Sequence, residues 1–265
     1  MTHTTSTSPT HPSTPARVAL VTGAGRRIGR AIALGMAEAG WDIAAHYRHS
    51  ADEAAQVVDA VRALGRRAVL APCDLAIEAA VRALPAQVVA QLGRLDCIVN
   101  NASLFEYDKP ADFSPSLLAA HMQCNLAAPL LLAQALHALT PADGQAVVIN
   151  LLDQKLYNLN PDFLSYTLSK AALHTATTML AQALAPTLRV VGVAPGITLV
   201  SGEQAQDGFE RAHRVTPLGR SSTPQDIVDA VLYAASARAL TGTTLLVDGG
   251  QHLVPLERDV MFLTK

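Results

Sequence analysis

Residues Thr22–Gly29 read TGAGRRIG, and they stand where a strand pattern gives way to a helix pattern. Ahead of them, Arg17–Thr22 (RVALVT) is a short run of β-branched and apolar residues. Behind them, apolar residues recur at helical spacing from Ile28 to Ala39, and Gly40 closes the run. A tight glycine turn lets backbone approach a pyrophosphate, and a helix N-terminus favours its negative charge. The expectation is a dinucleotide phosphate site formed by Gly23, Gly25, Arg26, Arg27 and Ile28. A plain strand-to-helix turn is the competing reading, and the rest of the chain must decide.

Outward from this loop, strands and helices alternate. Asp42–His46 (DIAAH), Ala68–Ala71 (AVLA), Cys97–Asn100 (CIVN), Ala146–Asn150 (AVVIN), Arg189–Ala194 (RVVGVA) and Thr244–Val247 (TLLV) are short apolar strand candidates. Helical patterns at Ser50–Leu64, Ile77–Leu92, Leu126–Leu139 and Tyr166–Ala185 lie between them, and another starts near Thr223-Pro224. Gly65 and Gly93 follow two of these helices, as C-terminal stop signals do. Unbroken apolar strands alternating with helices predict a seven-stranded parallel sheet covered on both faces. The fold class expected is α/β, a single doubly wound Rossmann-type domain over residues 17–265. Residues 197–217 form a long polar loop of the kind that closes over ligands.

Composition narrows the function. The net charge is −2, with no basic run or basic-aromatic stripe, so no nucleic-acid partner is expected. Residues 1–16, rich in Thr, Ser and Pro, lack the charged start and apolar core of a secretory signal and are expected to be disordered. The longest apolar stretch, Leu126–Leu139, contains Pro129, Gln134 and His137 and is too short to span a bilayer, so a buried core helix is expected and no membrane partner. Cys73, Cys97 and Cys124 have no pair or metal spacing and read as buried free thiols, which suits the cytoplasm. His121, His137 and His174 do not recur at ligand spacing, so no metal is expected.

The end of the second strand speaks to the cofactor. An NAD site places a carboxylate there for the ribose hydroxyls. This chain has His46, Tyr47, Arg48, His49 and Ser50 instead, and Arg48, His49 and Ser50 suit a 2′-phosphate. NADP(H) is therefore preferred to NAD(H). Tyr166 and Lys170, four apart at a helix start, share one face. An ammonium nearby favours phenolate, so Lys170 is expected to lower the pKa of Tyr166 toward working pH and make it a general acid.

These features together resemble the short-chain dehydrogenase/reductase family, over nearly the whole chain after the tail. The Thr22–Gly29 loop, Asp74, Asn100-Asn101-Ala102, Asn125, Tyr166 with Lys170, Pro195-Gly196 and Val247-Asp248-Gly249-Gly250 carry the resemblance. It implies that Asn125 helps hold a water relay to Lys170, which also binds the nicotinamide ribose. Asp74 is implied to meet the adenine, and Leu75, Asn101, Ala102, Ser103, Pro195 and Gly196 to border the cofactor. It also implies a homotetramer packed through long helices and the last strand.

Three departures sharpen the resemblance. Asp153 stands thirteen residues before Tyr166, where the family has serine; Arg27 replaces a glycine; and Ser103-Leu104-Phe105 follows Asn101-Ala102 where many members have a glycine first. All three resemble the pteridine reductase subgroup. Under that resemblance Ser103 bonds a pterin edge, Phe105 stacks on the heterocycle, Arg27 lies between pyrophosphate and substrate, and Asp153 helps Tyr166 pass a proton to a ring nitrogen. Phe105 as plain core and Asp153 as a surface loop residue are the alternatives. Tyr157 either lines the substrate mouth or packs peripherally. The expected activity is NADPH-dependent reduction of a C=N bond in a pterin or dihydrofolate-type substrate. A general carbonyl reductase, such as one for 3-oxoacyl groups, is the alternative, and a non-catalytic NADP-binding protein the more distant one.

Overall fold

The computed structural model describes residues 16–200, 209–210, 213–214 and 216–263. The expected disordered tail thus lies outside the described residues except for Ala16, as does part of the expected 197–217 lid.

Seven strands form one parallel sheet: β1 (Val18–Val21), β2 (Asp42–Tyr47), β3 (Ala68–Pro72), β4 (Cys97–Asn100), β5 (Ala146–Leu151), β6 (Leu188–Pro195) and β7 (Thr244–Val247). Their order is β3-β2-β1-β4-β5-β6-β7. Register follows from the pairing of Leu20 with Ala44 on one side and with Ile98 on the other. Alternation of side chains divides the core in two. Ala19, Val21, Ile43, Cys97, Val99, Ile149 and Val193 face one side, under α1 (Arg27–Glu38), α2 (Ala51–Ala63) and α7 (Pro224–Ser236). Val18, Leu20, Ala44, Ile98, Val148 and Val190 face the other, under α3 (Glu78–Leu92), α5 (Ala128–Leu139) and the end of α6 (Leu164–Ala183). Parallel strands buried on both faces explain why they read as unbroken apolar runs.

The helix ends have local causes. Asp52 and Glu53 in the first turn of α2 and Arg62 in its last complement its dipole. Gly93 ends α3 with φ +86°, a left-handed conformation that glycine adopts without cost. Thr223 opens α7 with a capping box to Asp226, and Pro224 holds the first helical position. Trp41, just ahead of β2, is 2% exposed, and the Arg17 guanidinium lies 4.0 Å from its ring centroid.

One element differs markedly from expectation. The stretch expected as a helix over Leu126–Leu139 is the second half of a continuous run from Pro115, through α4 (Pro115–Met122) and a π turn (Gln123–Ala127), to α5. Ser114 accepts from Leu117 N–H at 3.2 Å and Pro115 takes the first turn, so the run starts early. At 25 residues, it is long and apolar enough by length and composition to cross a membrane. Here Ala128, Leu132, Ala133 and Leu136 of α5 are fully buried against the sheet. Leu117, Leu118, Leu126 and Leu130 remain half-buried.

Candidate active site

The carboxyl ends of β1, β2, β3, β4, β5 and β6 open onto a cavity of about 820 Å³. It lies where the strand order reverses, between β1 and β4, the place where open α/β sheets bind ligands.

Its cofactor half is built on the glycine loop. Gly23 has φ +65°, and a Cβ at Gly29 would sit 2.2 Å from the Gly23 carbonyl oxygen. That closeness is why a side chain is excluded there. The Thr22 hydroxyl accepts from the N–H groups of Asn101 and Ala102 at 2.9 Å, and the Asn101 side chain donates back to the Thr22 carbonyl at 2.8 Å. His46 proves to be a support for the same loop. Its Nδ1 accepts from Gly23 N–H at 3.0 Å and its Nε2 lies 3.0 Å from the Cys73 carbonyl. Burial pushes its pKa down to about 4, so the ring is neutral. Arg26, Arg27, Ile28, Tyr47, Arg48, Ser50, Asp74 and Leu75 line the cavity. Arg26 also pairs with Glu53 of α2, and Asp74 accepts from Ala76 N–H at 2.9 Å.

Two expected cofactor residues are placed otherwise. Gly25 packs on the start of α2, where a Cβ would come 3.2 Å from Ala54 N, and it does not line the cavity. His49, in the bend after β2, is exposed and outside the wall. The remaining wall, a glycine cradle continuing to a guanidinium and a hydroxyl at Arg48 and Ser50, fits a dinucleotide bearing a 2′-phosphate.

The reacting half centres on α6. Its first residues are held by Asp108, whose carboxylate accepts from Ser165 N–H at 2.9 Å and from its hydroxyl at 2.5 Å. That cap explains why α6 starts at Leu164, ahead of the expected Tyr166. Phe163 precedes it in a left-handed conformation, φ 56°, which is unusual for an aromatic residue. Tyr166, 7% exposed, donates its hydroxyl to Asp153 Oδ2 at 2.8 Å. The other Asp153 oxygen accepts from Lys155 N–H at 2.8 Å, which fixes the carboxyl plane. Asp153 lines the cavity and is therefore no surface loop residue. Lys170, 3% exposed, donates to the Leu151 carbonyl at 2.7 Å, and its Nζ lies 5.8 Å from the Tyr166 ring centroid.

The expected lowering of the Tyr166 pKa is corrected here. Burial raises it well above the ordinary phenol value, and the Asp153 carboxylate raises it further. Burial also brings Lys170 down to about 8 and raises the Asp153 carboxyl. Desolvation and a hydrogen-bonded carboxylate outweigh a more distant ammonium. The phenol holds its proton firmly and has an adjacent carboxyl able to carry another.

Asn125 sits in the π turn, 1% exposed, behind the cavity wall. Its oxygen accepts from Ser103 Oγ and Leu104 N–H at 3.2 and 2.8 Å, and its nitrogen donates to the Leu104 carbonyl and Ser169 Oγ at 3.0 and 2.9 Å. It thus ties α6 to the loop after β4. Ser103 lines the cavity but directs its proton into the protein. Phe105 is 44% exposed, stacks on Phe163 at 4.3 Å and meets the Tyr166 ring edge-on at 4.7 Å. That exposure rules out plain core. Arg27, at φ 53°, donates to the Val200 carbonyl at 2.8 Å and so bridges the glycine loop to the start of the 197–217 segment. Pro195 and Gly196 border the cavity, where Gln251 accepts from Ile197 N–H at 3.0 Å. Cys124 is half-buried in the wall, where full burial was expected; packing of the π turn against the cavity leaves it accessible. Tyr157 is peripheral, 3.3 Å from His174 Nε2. Among the described residues no three His, Cys, Asp or Glu side chains converge as a metal site.

A family model described as Enoyl-(Acyl carrier protein) reductase matches residues 23–252. The chain is a short-chain dehydrogenase/reductase. The FolM alternative dihydrofolate reductase 1 from Brucella canis, solved in complex with NADP, superposes with TM-score 0.87 at 39% identity, covering 92% of this chain and 97% of that one. An uncharacterized oxidoreductase from Mycobacterium tuberculosis is 36% identical over 88% of this chain and 91% of its own length. A 3-oxoacyl-(acyl-carrier-protein) reductase from Staphylococcus aureus is 32% identical over 89% and 98%. As a member of this family the protein is an oxidoreductase, and its cofactor is NADP(H). Lining residues that the sequence did not disclose include Gln154, Lys155, Gln251, Asp259 and Val260.

Proposed function

We propose that this short-chain reductase transfers hydride from NADPH to a C=N bond of a pterin or dihydrofolate-type ring. The observation that carries the reading is the 2.8 Å bond from the Tyr166 hydroxyl to Asp153. A ketone needs only its developing oxyanion held, whereas an imine nitrogen must gain a proton. A carboxyl whose proton affinity burial has raised, hydrogen-bonded to the phenol, gives the site a second group to hold a proton for that task. NADPH supplies the hydride when bound. Gly23, Arg26, Arg27 and Ile28 hold its pyrophosphate, Arg48 and Ser50 its 2′-phosphate, Asp74 its adenine, and Lys170 its nicotinamide ribose, with Leu75, Asn101, Ala102, Ser103, Pro195 and Gly196 alongside.

Tyr166 then gives its proton to the ring nitrogen, and its phenolate regains one from solvent by way of Asp153, whose carboxyl takes up a proton first. Phe105 offers an aromatic surface to a flat heterocycle, a contact contributing about 0.5–1.5 kcal/mol beyond area burial. The Ser103 hydroxyl oxygen, on the same wall, can accept from an N–H edge of a pterin. The FolM likeness supports this reading. The 3-oxoacyl reductase likeness favours a carbonyl reductase as second reading, against which Asp153 and Phe105 both stand.

Residues 17–265 act as one catalytic domain in this reading, in the cytoplasm, where free Cys73, Cys97 and Cys124 persist. The half-buried leucines of α4 and α5, with exposed Leu168 and Met179 on α6, support packing into a homotetramer.

The test is NADPH oxidation with dihydrobiopterin, dihydromonapterin and dihydrofolate, set beside a 3-oxoacyl ester. Turnover of the ring substrates is expected, with Tyr166→Phe lowering kcat by about 10²–10⁴ and NADPH affinity retained. Turnover of the ester alone defeats the pterin assignment. Undiminished turnover by Tyr166→Phe defeats the proton-donor role.

A further inference from the structure

The substrate end of the cavity is walled by residues far along the chain. Asp259 and Val260 line it beside Asp153, Gln154 and Lys155. They are anchored in three ways. The Arg258 guanidinium grips the Asp162 carboxylate with two bonds of 2.8 Å, and Asp259 N–H adds a third to the same carboxylate at 2.8 Å. The Lys155 ammonium donates to Asp259 at 3.0 Å. The Phe262 ring lies over Phe163 at 6.2 Å and 21°, and meets Tyr107 at 5.3 Å.

These anchors share a pattern. Asp162, Lys155 and Phe163 all belong to the segment that begins at Asp153 and ends at the left-handed residue opening α6. Residues 258–262 therefore rest on the support that sets the Asp153–Tyr166 pair. Lys155 is 3% exposed, and an ammonium buried so deeply is tolerated only when paired. Asp162 is 2% exposed, and the same holds for its carboxylate against Arg258. The docked position is thus fixed by charge satisfaction at two places and by ring packing at a third. A cavity of about 820 Å³ must take a dinucleotide as well as the substrate. A wall at its substrate end governs what room is left.

We propose that residues Arg258–Phe262 form a specificity-determining strap, which limits the substituent that a substrate ring can carry beyond the reacting bond. The proposal deepens the pterin reading and rests on it for its choice of substrates. Strap attachment selects short-tailed pterins over dihydrofolate with its long aminobenzoyl-glutamate tail. Arg258 and Phe262 are positioning residues, acting through the wall that they hold.

Two variants test it without leaving a lone buried charge: Asp162→Asn with Arg258→Ala and Phe262→Ala, and Lys155→Met with Asp259→Leu. The measurements are kcat and KM for dihydrobiopterin and dihydrofolate, NADPH Kd by calorimetry, and hydrogen exchange at the Asp259 and Phe262 amides. The expected result is faster exchange at those amides and NADPH Kd within about twofold of wild type. The dihydrofolate-to-dihydrobiopterin ratio of kcat/KM rises about fivefold or more, mainly through KM. An unchanged ratio with faster exchange overturns the proposal. So does a parallel loss of NADPH affinity and of turnover with both substrates, which marks a purely structural role. If wild type reduces neither ring substrate, the pterin reading has failed separately. The strap is then judged by the same criterion on ethyl acetoacetate against the bulkier ethyl benzoylacetate.

Discussion

At Tyr166 the nearest charge decides the chemistry. The ammonium of Lys170 is 5.8 Å from the ring centroid, while the Asp153 carboxyl is hydrogen-bonded to the hydroxyl itself. A four-residue spacing on a helix shows that two side chains share a face, but it does not rank them against a carboxyl thirteen positions away. The residues that carry motifs were therefore legible: the glycine loop, Tyr166, Lys170, Asp153 and Phe105 all reach the cavity. Lys155 and Asp259 were not, because their meaning lies in a pairing across 104 positions. His46 was legible as a site residue and misread in role. Its ring spends both nitrogens on the backbone of Gly23 and Cys73. Its pKa falls from 6.5 to about 4 on folding, so the unfolded chain binds the extra proton between those values. This contribution to stability is whole above about pH 6.5, declines as pH drops toward 4, and is constant below. Urea unfolding at pH 7.5 and pH 5 should therefore show wild type losing about 2 kcal/mol more than His46→Gln. Equal losses would mean that the ring is not held neutral.

Among elements, strands were read to within a residue or two, since burial on both faces leaves unbroken apolar runs with glycine or polar ends. Helix starts were read less well. The α6 start depends on Asp108, 57 positions upstream of Ser165, and no local signal announces a cap delivered from a distance. The 115–139 run was halved because its π turn interrupts helical periodicity around Gln123–Asn125. By contrast Thr223 and Pro224 announced α7 in the sequence, and the structure supplies the reciprocal bonds to Asp226. Thr223→Ala should cost about 1 kcal/mol of stability. In a thermal melt that is a fall of about 2–4 °C, with NADPH affinity unmoved. A change within error would show that Asp226 alone holds the helix end.

For the molecule as a whole, one cavity at the reversal of strand order joins residues from six of the seven strand-end regions. Binding there must stabilise the entire fold. At a hundredfold excess over Kd, NADPH should add about 2.7 kcal/mol, a rise in Tm of about 5–10 °C. NADH at the same concentration should raise it less, since Arg48 and Ser50 then have no phosphate to meet. An equal rise with NADH would remove the 2′-phosphate assignment. Trp41 offers an independent view of the same event. It is the single tryptophan of the chain and sits at the amino end of β2, under Arg17. Six residues of strand, about 20 Å, separate it from the cofactor end. Indole emission is thus blind to contact with substrate, and any quenching by the reduced dinucleotide must travel through space by resonance energy transfer, as a ruler along one strand.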